Sequence, residues 1–311
     1  MKILKKVDLS TTVSITSTYA GEFAGRYIAA AFLSGRTLGD KTVTFKPNIK
    51  YKEVVKKLVS SGTLIAAATC DFTPTGTLTL TERILEPTEL QVNLQLCKKD
   101  FHTDWEAASM GFSAFDKLPP TFQEFLLAHI LAATGEDIEQ LVWHGNKDTT
   151  NQFDGFVQLL TEDATVLDVA DTSPIDASNV IEELGKVVDL IPATVLSQPD
   201  LTIYVAQNVA TAYIRALGKA GYHQESMVGE KPLDFEGKKL VVAPGLNSSY
   251  IVAAQASNLW FGTGLMEDFN EVKIIDMADI DGSQNVRIVL RFTAGCQHGI
   301  GSEVVLYTPP A

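Results

Sequence analysis

Cysteine, histidine and tryptophan are scarce: three, five and three among 311 residues. Cys70, Cys97 and Cys296 are odd in number, far apart and without CxxC spacing. That excludes a disulfide framework and fits a reducing compartment. No apolar run approaches the roughly 18–20 residues of a membrane helix. The longest candidate, Ile28 to Leu33, is bounded by Arg26 and Arg36. Lys2, Lys5 and Lys6 are followed by Asp8 and a Ser/Thr run where a signal peptide needs its apolar stretch, so a soluble, non-exported protein is expected. Basic charge is also short, with 25 Lys and Arg against 38 Asp and Glu for a net −13. A chain this acidic does not bind nucleic acid with its whole surface, because the phosphate term needs clustered lysine and arginine. Hydrophobic residues at 45% and charged residues at 20% exclude disorder and collagen-like repetition.

The familiar catalytic motifs are missing as well. There is no P-loop, no GxSxG and no HExxH. Gly262-Thr263-Gly264 lacks the third glycine and the preceding parallel strand of a dinucleotide site. In Gly295-Cys296-Gln297-His298-Gly299, the Cys and His two residues apart share one face of a strand, without a third ligand nearby. His144 beside Trp143 reads as a last-turn histidine facing a helix dipole. Glu136, Asp137 and Glu139 read as a solvated acidic turn. Trp260-Phe261-Gly262 reads as strand-end packing. No catalytic, metal or cofactor-binding residue is assigned, and no cofactor is expected.

What is present is an order of segments. Ala20 to Ser34 has the spacing of a short amphipathic helix. Lys41 to Lys52 alternates and predicts a strand pair bent at Pro47-Asn48. Asp40 to Lys57 holds six lysines against two acids. Glu53 to Val59 predicts one or two helical turns. Thr63–Cys70, Gly76–Leu85 and Glu89–Leu96 read as extended, the last with Leu90, Val92, Leu94 and Leu96 on one face. After Pro119-Pro120-Thr121, the positions Phe122, Phe125, Leu126, His129, Ile130 and Ala133 trace a helical face that resumes at Ile138, Leu141 and Val142. The result is a spine of about 22 residues, roughly 33 Å long. Short strands and turns are expected over Asn151–Val169. Next come a helix from Asp176 to Leu190, a strand Thr202–Val205 and a helix Asn208–Leu217. Strands follow at Lys239–Ala243, Tyr250–Ala254, Val272–Ile275, Val286–Phe292 and Glu303–Tyr307. The class is α+β.

This order resembles the major capsid proteins of tailed bacteriophages with the Hong Kong 97-type fold. Gly76-Thr77-Leu78-Thr79-Leu80 through Glu89-Leu90-Gln91-Val92 looks like the family's descent from its extended loop into the peripheral domain. Leu141 to Phe156, with Gly145-Asn146 and Phe153-Asp154-Gly155-Phe156, is similar to the turn after its spine helix. Ile203-Tyr204-Val205, Asn208 and the helix to Leu217 resemble the "strand, Asn, helix" passage of the axial domain. Gly237 to Val242 with Ile251 to Phe261 is similar to its next strand pair. Arg287 to Phe292, Gly295 and Glu303 to Leu306 resemble the closing strands. The likeness spans roughly residues 40–308 and rests on collinear order.

The resemblance implies an N-terminal arm at 1–40, an extended loop at 41–88 and a peripheral domain with spine helix at 89–172. An axial domain at 173–265 and a closing β-layer at 266–311 complete it. It implies a structural, non-enzymatic protein that self-assembles into hexamers and pentamers of an icosahedral shell around a double-stranded DNA genome, read without sequence specificity. Its setting would be the virion, assembled in the host cytoplasm. The partners would be other copies, a separate scaffolding protein, a portal and a decoration protein, with no membrane. Only about 40 residues precede the loop, too few for a fused scaffolding domain of about a hundred. A lysine–asparagine cross-link is not paired by any pattern here. The expected subunit contacts are Lys41, Val43, Phe45, Ile49, Lys50, Tyr51, Lys52, Lys56 and Lys57. The loop's apolar residues should be covered by an adjacent copy, and its lysines should meet an acidic face around Glu267, Asp268 and Glu271. The alternatives are an encapsulin-like cellular compartment and an α+β enzyme using the Cys296/His298 region.

Overall fold

The computed structural model describes residues 36–49, 51–61, 65, 76–101, 120–170, 174–221, 233–264 and 271–309. The amphipathic stretch at 20–34 and the extended run at 63–70 thus lie outside the described residues, apart from Ile65. A single helical turn, Arg36–Gly39, precedes β1 (Thr44–Lys46), β2 (Glu53–Ser61), β3 (Thr77–Leu85) and β4 (Thr88–Cys97). Helix α1 (Pro120–His144) is the spine, followed by α2 (Phe156–Glu162), β5 (Leu167–Ala170) and α3 (Val180–Leu190). Next are β6 (Leu201–Val205), α4 (Gln207–Lys219), β7 (Asp234–Phe235), β8 (Lys238–Val242), β9 (Ile251–Gln255) and β10 (Leu259–Gly262). The chain closes with β11 (Glu271–Asp276), β12 (Asn285–His298) and β13 (Val305–Thr308).

Three sheets result. In the first, β12 is the central strand. It pairs antiparallel with β4 over Asn285–Ala294, with β11 over Val286–Arg291 and with β10 over Gly295–His298. Its fourteen residues, alternating in burial over Asn285–Phe292 and buried in succession from Phe292 to Cys296, are long enough to serve all three partners. The second sheet runs β5-β13-β9-β6-β8-β7 and has two parallel pairs, β5 with β13 and β6 with β8. Every residue of β6 is buried, as a strand covered on both faces requires. Helix α3 packs on this sheet through Val180, Leu184, Val187 and Val188, whereas Ile181 is exposed. The third sheet is the β2–β3 hairpin alone.

Several expectations need correction. The strand pair bent at Pro47-Asn48 does not form. Instead β1 runs parallel to β10, with Phe45 stacked on Phe261 and Lys46 over the Trp260 ring. Asn48 takes a left-handed conformation, φ 65°, that turns the chain so Ile49 N donates to Thr263 O at 2.9 Å. Glu53–Val59 is strand, not helix. Its β-branched Val54 and Val55 gain cross-strand partners that a lone helical turn would not offer. Within 151–169 lies α2, whose Phe156, Val157 and Leu160 are buried at helical spacing. Of the range 266–311, β13 pairs with β5 and β9 in the second sheet, and β10, within the range 173–265, pairs with β12 in the first.

The spine is 25 residues long, and its buried face is Leu127, Ile130, Leu131, Thr134, Ile138, Val142 and Trp143. The expected face is rotated by about one residue: His129 and Ala133 are exposed. The side chains of Phe122 and Phe125 lie outside the described ones. After the spine, Gly155 N donates to Gly145 O at 2.9 Å, and a Cβ on either glycine would sit 2.6 Å from Leu141 O. Only glycine permits that closeness. Replacing Ile138 by alanine should cost about 2–5 kcal/mol in denaturant unfolding of the subunit. His129→Ala should stay within about 0.5 kcal/mol. Equal losses would place the buried face elsewhere.

Candidate functional site: the hairpin and its root

The register of β2 and β3 sorts their residues onto two faces. Val54 stands opposite Ile84 and Lys56 opposite Glu82, with Leu80 and Leu78 continuing the same face of β3. Leu78, Leu80, Ile84 and Val54 are 64%, 52%, 51% and 45% exposed. Among the described residues, no second layer covers these four large apolar side chains on one face of a two-stranded ribbon. Such a patch is the usual mark of an interaction surface.

The opposite face is held at its root. Leu85 is fully buried against Ile49 and Trp260, with Val55 beside them, in a small cluster separate from the main core. Gln297 Nε2 donates to Ile84 O at 3.0 Å. The Arg83 guanidinium pairs with Asp163 Oδ2, the same oxygen that His298 Nε2 meets at 2.9 Å. Asp163 also accepts from Thr165 N at 2.9 Å and Thr165 Oγ1 at 2.7 Å. Burial opposes ionisation of Asp163, but His298, Thr165 and Arg83 outweigh it and hold the carboxyl well below the usual carboxylate range. His298 is pushed down from its ordinary value chiefly by burial, with Arg83 adding to the shift and Asp163 opposing it. Its Nδ1 is buried without a hydrogen-bond partner. The histidine is therefore neutral and donates through Nε2.

The lysines and apolar residues expected to meet a neighbour fall differently. Val43 and Ile49 are buried in their own chain, so they need no neighbour to cover them. Phe45 is half covered by Phe261, while Tyr51 is 74% exposed. Lys46 pairs with Glu53 at 2.6 Å, Lys52 with Glu86 at 2.8 Å and Lys56 with Glu82 at 3.1 Å, all in the same chain. Lys41 is exposed with φ 53°. Lys50, Glu267 and Asp268 lie outside the described residues. Lys57 and Glu271 are placed in β2 and β11 by backbone alone. At the other end of β11 from Glu271, Asp276 pairs with Lys98.

Other singled-out residues resolve into structure. Cys296 is buried with Sγ 3.8 Å from Val142 O, and burial, helped by Glu139, pushes its thiol well up. That is the reverse of an activated thiol. His144 accepts from Asn247 N at Nε2 and meets the Tyr250 ring edge-on, so it acts as a neutral acceptor, not as a cation on the helix dipole. Burial pushes its pKa down. Glu136 and Asp137 are exposed, but Glu139 is buried. It accepts from Thr37 N at 3.1 Å and from Thr37 Oγ1, and Trp143 Nε1 donates to that same hydroxyl. Among the described residues no group of three His, Cys, Asp or Glu could hold a metal ion, and no helix is long and apolar enough to cross a membrane.

Removing the Glu139 carboxyl orphans two buried donors of Thr37, each costing about 1–3 kcal/mol. Glu139→Ala should therefore destabilise the subunit by about 2–4 kcal/mol, and Glu139→Gln by less. Burial raises the Glu139 pKa above 4.5, its hydrogen bonds only partly offsetting this. The folded state thus holds this proton more tightly than the unfolded one. Wild-type stability, relative to Glu139→Gln, should decline as pH rises from 4.5 and then level off. A flat difference in urea titrations across that range would contradict this reading of the site.

No protein-family model matches the chain, and no curated protein does. Solved structures do. The capsid of Myoviridae phage XM1 matches with TM-score 0.58 at 12% identity, covering 99% of each chain. The capsid of a native GTA particle gives TM-score 0.62 at 12% identity, with 91% of each chain covered. A virus-like particle from Pyrococcus furiosus gives 0.54 at 10% identity, covering 93% of this chain and 99% of that one. At such identities the likeness shows the fold alone: the chain has the fold of phage major capsid proteins.

Proposed function

We propose that this protein is the major capsid protein of a tailed phage, with the Hong Kong 97-type arrangement. It assembles as hexamers and pentamers into an icosahedral head around double-stranded DNA. The observation that carries this reading is the end-to-end fold match with capsid subunits. In that frame β4, α1, β11 and β12 form the peripheral plate, and α3, α4 and the second sheet form the axial domain. The extended loop, expected at 41–88, would contain the β2–β3 hairpin from Glu53 to Leu85. A separate scaffolding protein, a portal and a decoration protein would be its partners, with assembly in the host cytoplasm and residence in the virion. The role is structural, and DNA is enclosed without sequence-specific binding.

The hairpin supplies the means of joining copies. Its apolar outer face lies on the next subunit, in a head-to-tail contact that closes into rings. The lysines contribute less than the sequence suggests, since Lys46, Lys52 and Lys56 already have glutamates in their own chain. Exposed pairs of that kind give roughly 0–1 kcal/mol. A cellular compartment shell is the second reading, favoured by the virus-like particle that shares this fold. Packaged DNA in purified particles supports the phage head, and packaged protein supports the compartment.

Negative-stain microscopy and size exclusion of the expressed protein should show rings or closed particles. A small closed oligomer alone would overturn the proposal. Leu80→Glu combined with Ile84→Glu alters exposed positions, so subunit stability should move by only about 0.5 kcal/mol per site. Particles should nonetheless disappear. Wild-type particle yield from that variant would remove the hairpin face from the subunit contact.

A further inference from the structure

Among the described residues two ion pairs tie the hairpin to the rest of the chain, Lys46 with Glu53 and Arg83 with Asp163, and the second is shared. Arg83 arrives from β3, Asp163 from the turn after α2, and His298 from the last residue of β12. Two donors meet one carboxylate oxygen, Oδ2, so whichever gains strength does so at the expense of the other. Among the described residues, nothing around His298 is placed to receive a second imidazole proton. Its Nδ1 is buried without a partner, β10 places Leu259 opposite it, and Cys296 two residues back is turned to Val142 O. The charged groups that act on it are Asp163 and Arg83.

We propose that this cluster is a proton-operated latch: when His298 gains a proton its imidazolium claims Asp163, repels Arg83, and lets the β2–β3 hairpin lift from the plate. The inference rests on the proposed role of the hairpin as the arm that laps a neighbour, and it names what regulates that arm. The proton comes from solvent and adds to Nδ1, and no covalent bond changes. A buried N–H without an acceptor is costly, so the protonated ring is stable only where water reaches it, which is the open arrangement. Asp163 stays ionised throughout, because it is held below the usual carboxylate range. In the closed arrangement His298 titrates below its ordinary 6.5, so the open form binds the proton more tightly. Closure is fully favoured above that pH and is lost progressively as pH falls through and below it. The Leu85–Ile49–Trp260 contact does not titrate and acts as the pivot about which the hairpin turns.

Pulsed electron-spin distance measurements on the unassembled subunit test this. Spin labels go on Thr79→Cys in β3 and Asn93→Cys in β4, both exposed, with Cys70 and Cys97 replaced by serine. Cys296 is buried and stays unlabelled. At about pH 7.5 one narrow distance peak is expected, and at about pH 5.5 it should lose at least half its amplitude to a broad distribution. The change should reverse on neutralisation. His298→Gln keeps a donor to Asp163 and cannot charge, so its peak should stay narrow at both pH values. Arg83→Gln lacks the charged tether and should be broad at both, which keeps the test decisive if the histidine variant fails to fold. A wild-type peak unchanged in acid, a His298→Gln peak that broadens with it, or a narrow Arg83→Gln peak would each overturn the latch. Because free subunits are measured, absence of particles under the microscope would overturn the shell reading while leaving this result intact.

Discussion

Everything rigid in this molecule is referred to the C-terminal end of the spine helix, where Trp143 is fully enclosed. Its ring meets Phe156 at 5.5 Å and Tyr204 at 5.1 Å, so one side chain touches the spine, the following helix and the central strand of the second sheet. One turn earlier Glu139 grips Thr37, and Tyr204 donates its hydroxyl to Thr42 O. The segment leading into β1 is thereby tied to the same point. Aromatic packing gives this junction its strength, and hydrogen bonds to buried donors give it a single geometry. Moving any of the three elements would either open a void or orphan a polar group.

The hairpin stands under the opposite constraint. Two strands cannot sandwich their own apolar residues, and an isolated two-stranded ribbon is marginal in water. Its register therefore has to be set from outside along one face and satisfied from outside along the other. The root does the first through Leu85, Val55 and Arg83. In the proposed shell, a neighbour would do the second through Val54, Leu78, Leu80 and Ile84. An arm rooted by few contacts can change its angle without disturbing Trp143, because its small apolar cluster is separate from the main core.

Periodic signals in the sequence were the ones that survived. β6, α4, β8, β9 and β11 lie within a residue or two of their expected bounds, since their hydrophobic patterns agree with local propensity. The spine was legible in existence and length, but its face was read about one residue off. The cause is that buried Thr134 and Glu139 break the apolar stripe from which that face is read. Val43 and Ile49 were expected to seek a neighbour because their alternation is the same whether β10 or another chain supplies the pairing partner. Sequence spacing holds no information about a parallel partner more than 200 residues away. Arg83 and Asp163 were invisible for the same reason. Nothing local joins residues 83, 163 and 298, and of the three only His298 drew notice, for its nearness to Cys296.

Part of the charge expected to reach a neighbour is already matched within the chain. Lys46, Lys52 and Lys56 pair with Glu53, Glu86 and Glu82 on facing strands or at the hairpin's base, so half of the segment's six lysines are matched within their own chain before any neighbour arrives. Self-pairing leaves the acidic excess elsewhere on the subunit, and identical acidic subunits repel. Copies can then associate only where apolar area is large enough to overcome that repulsion, which screening confines to about 8 Å at physiological salt. A hairpin whose ion pair, Lys56 with Glu82, sits between Val54–Ile84 at one end and Leu78–Leu80 at the other presents apolar area with its charge already cancelled. The ribbon is thus the part of the described surface best able to approach a like-charged neighbour.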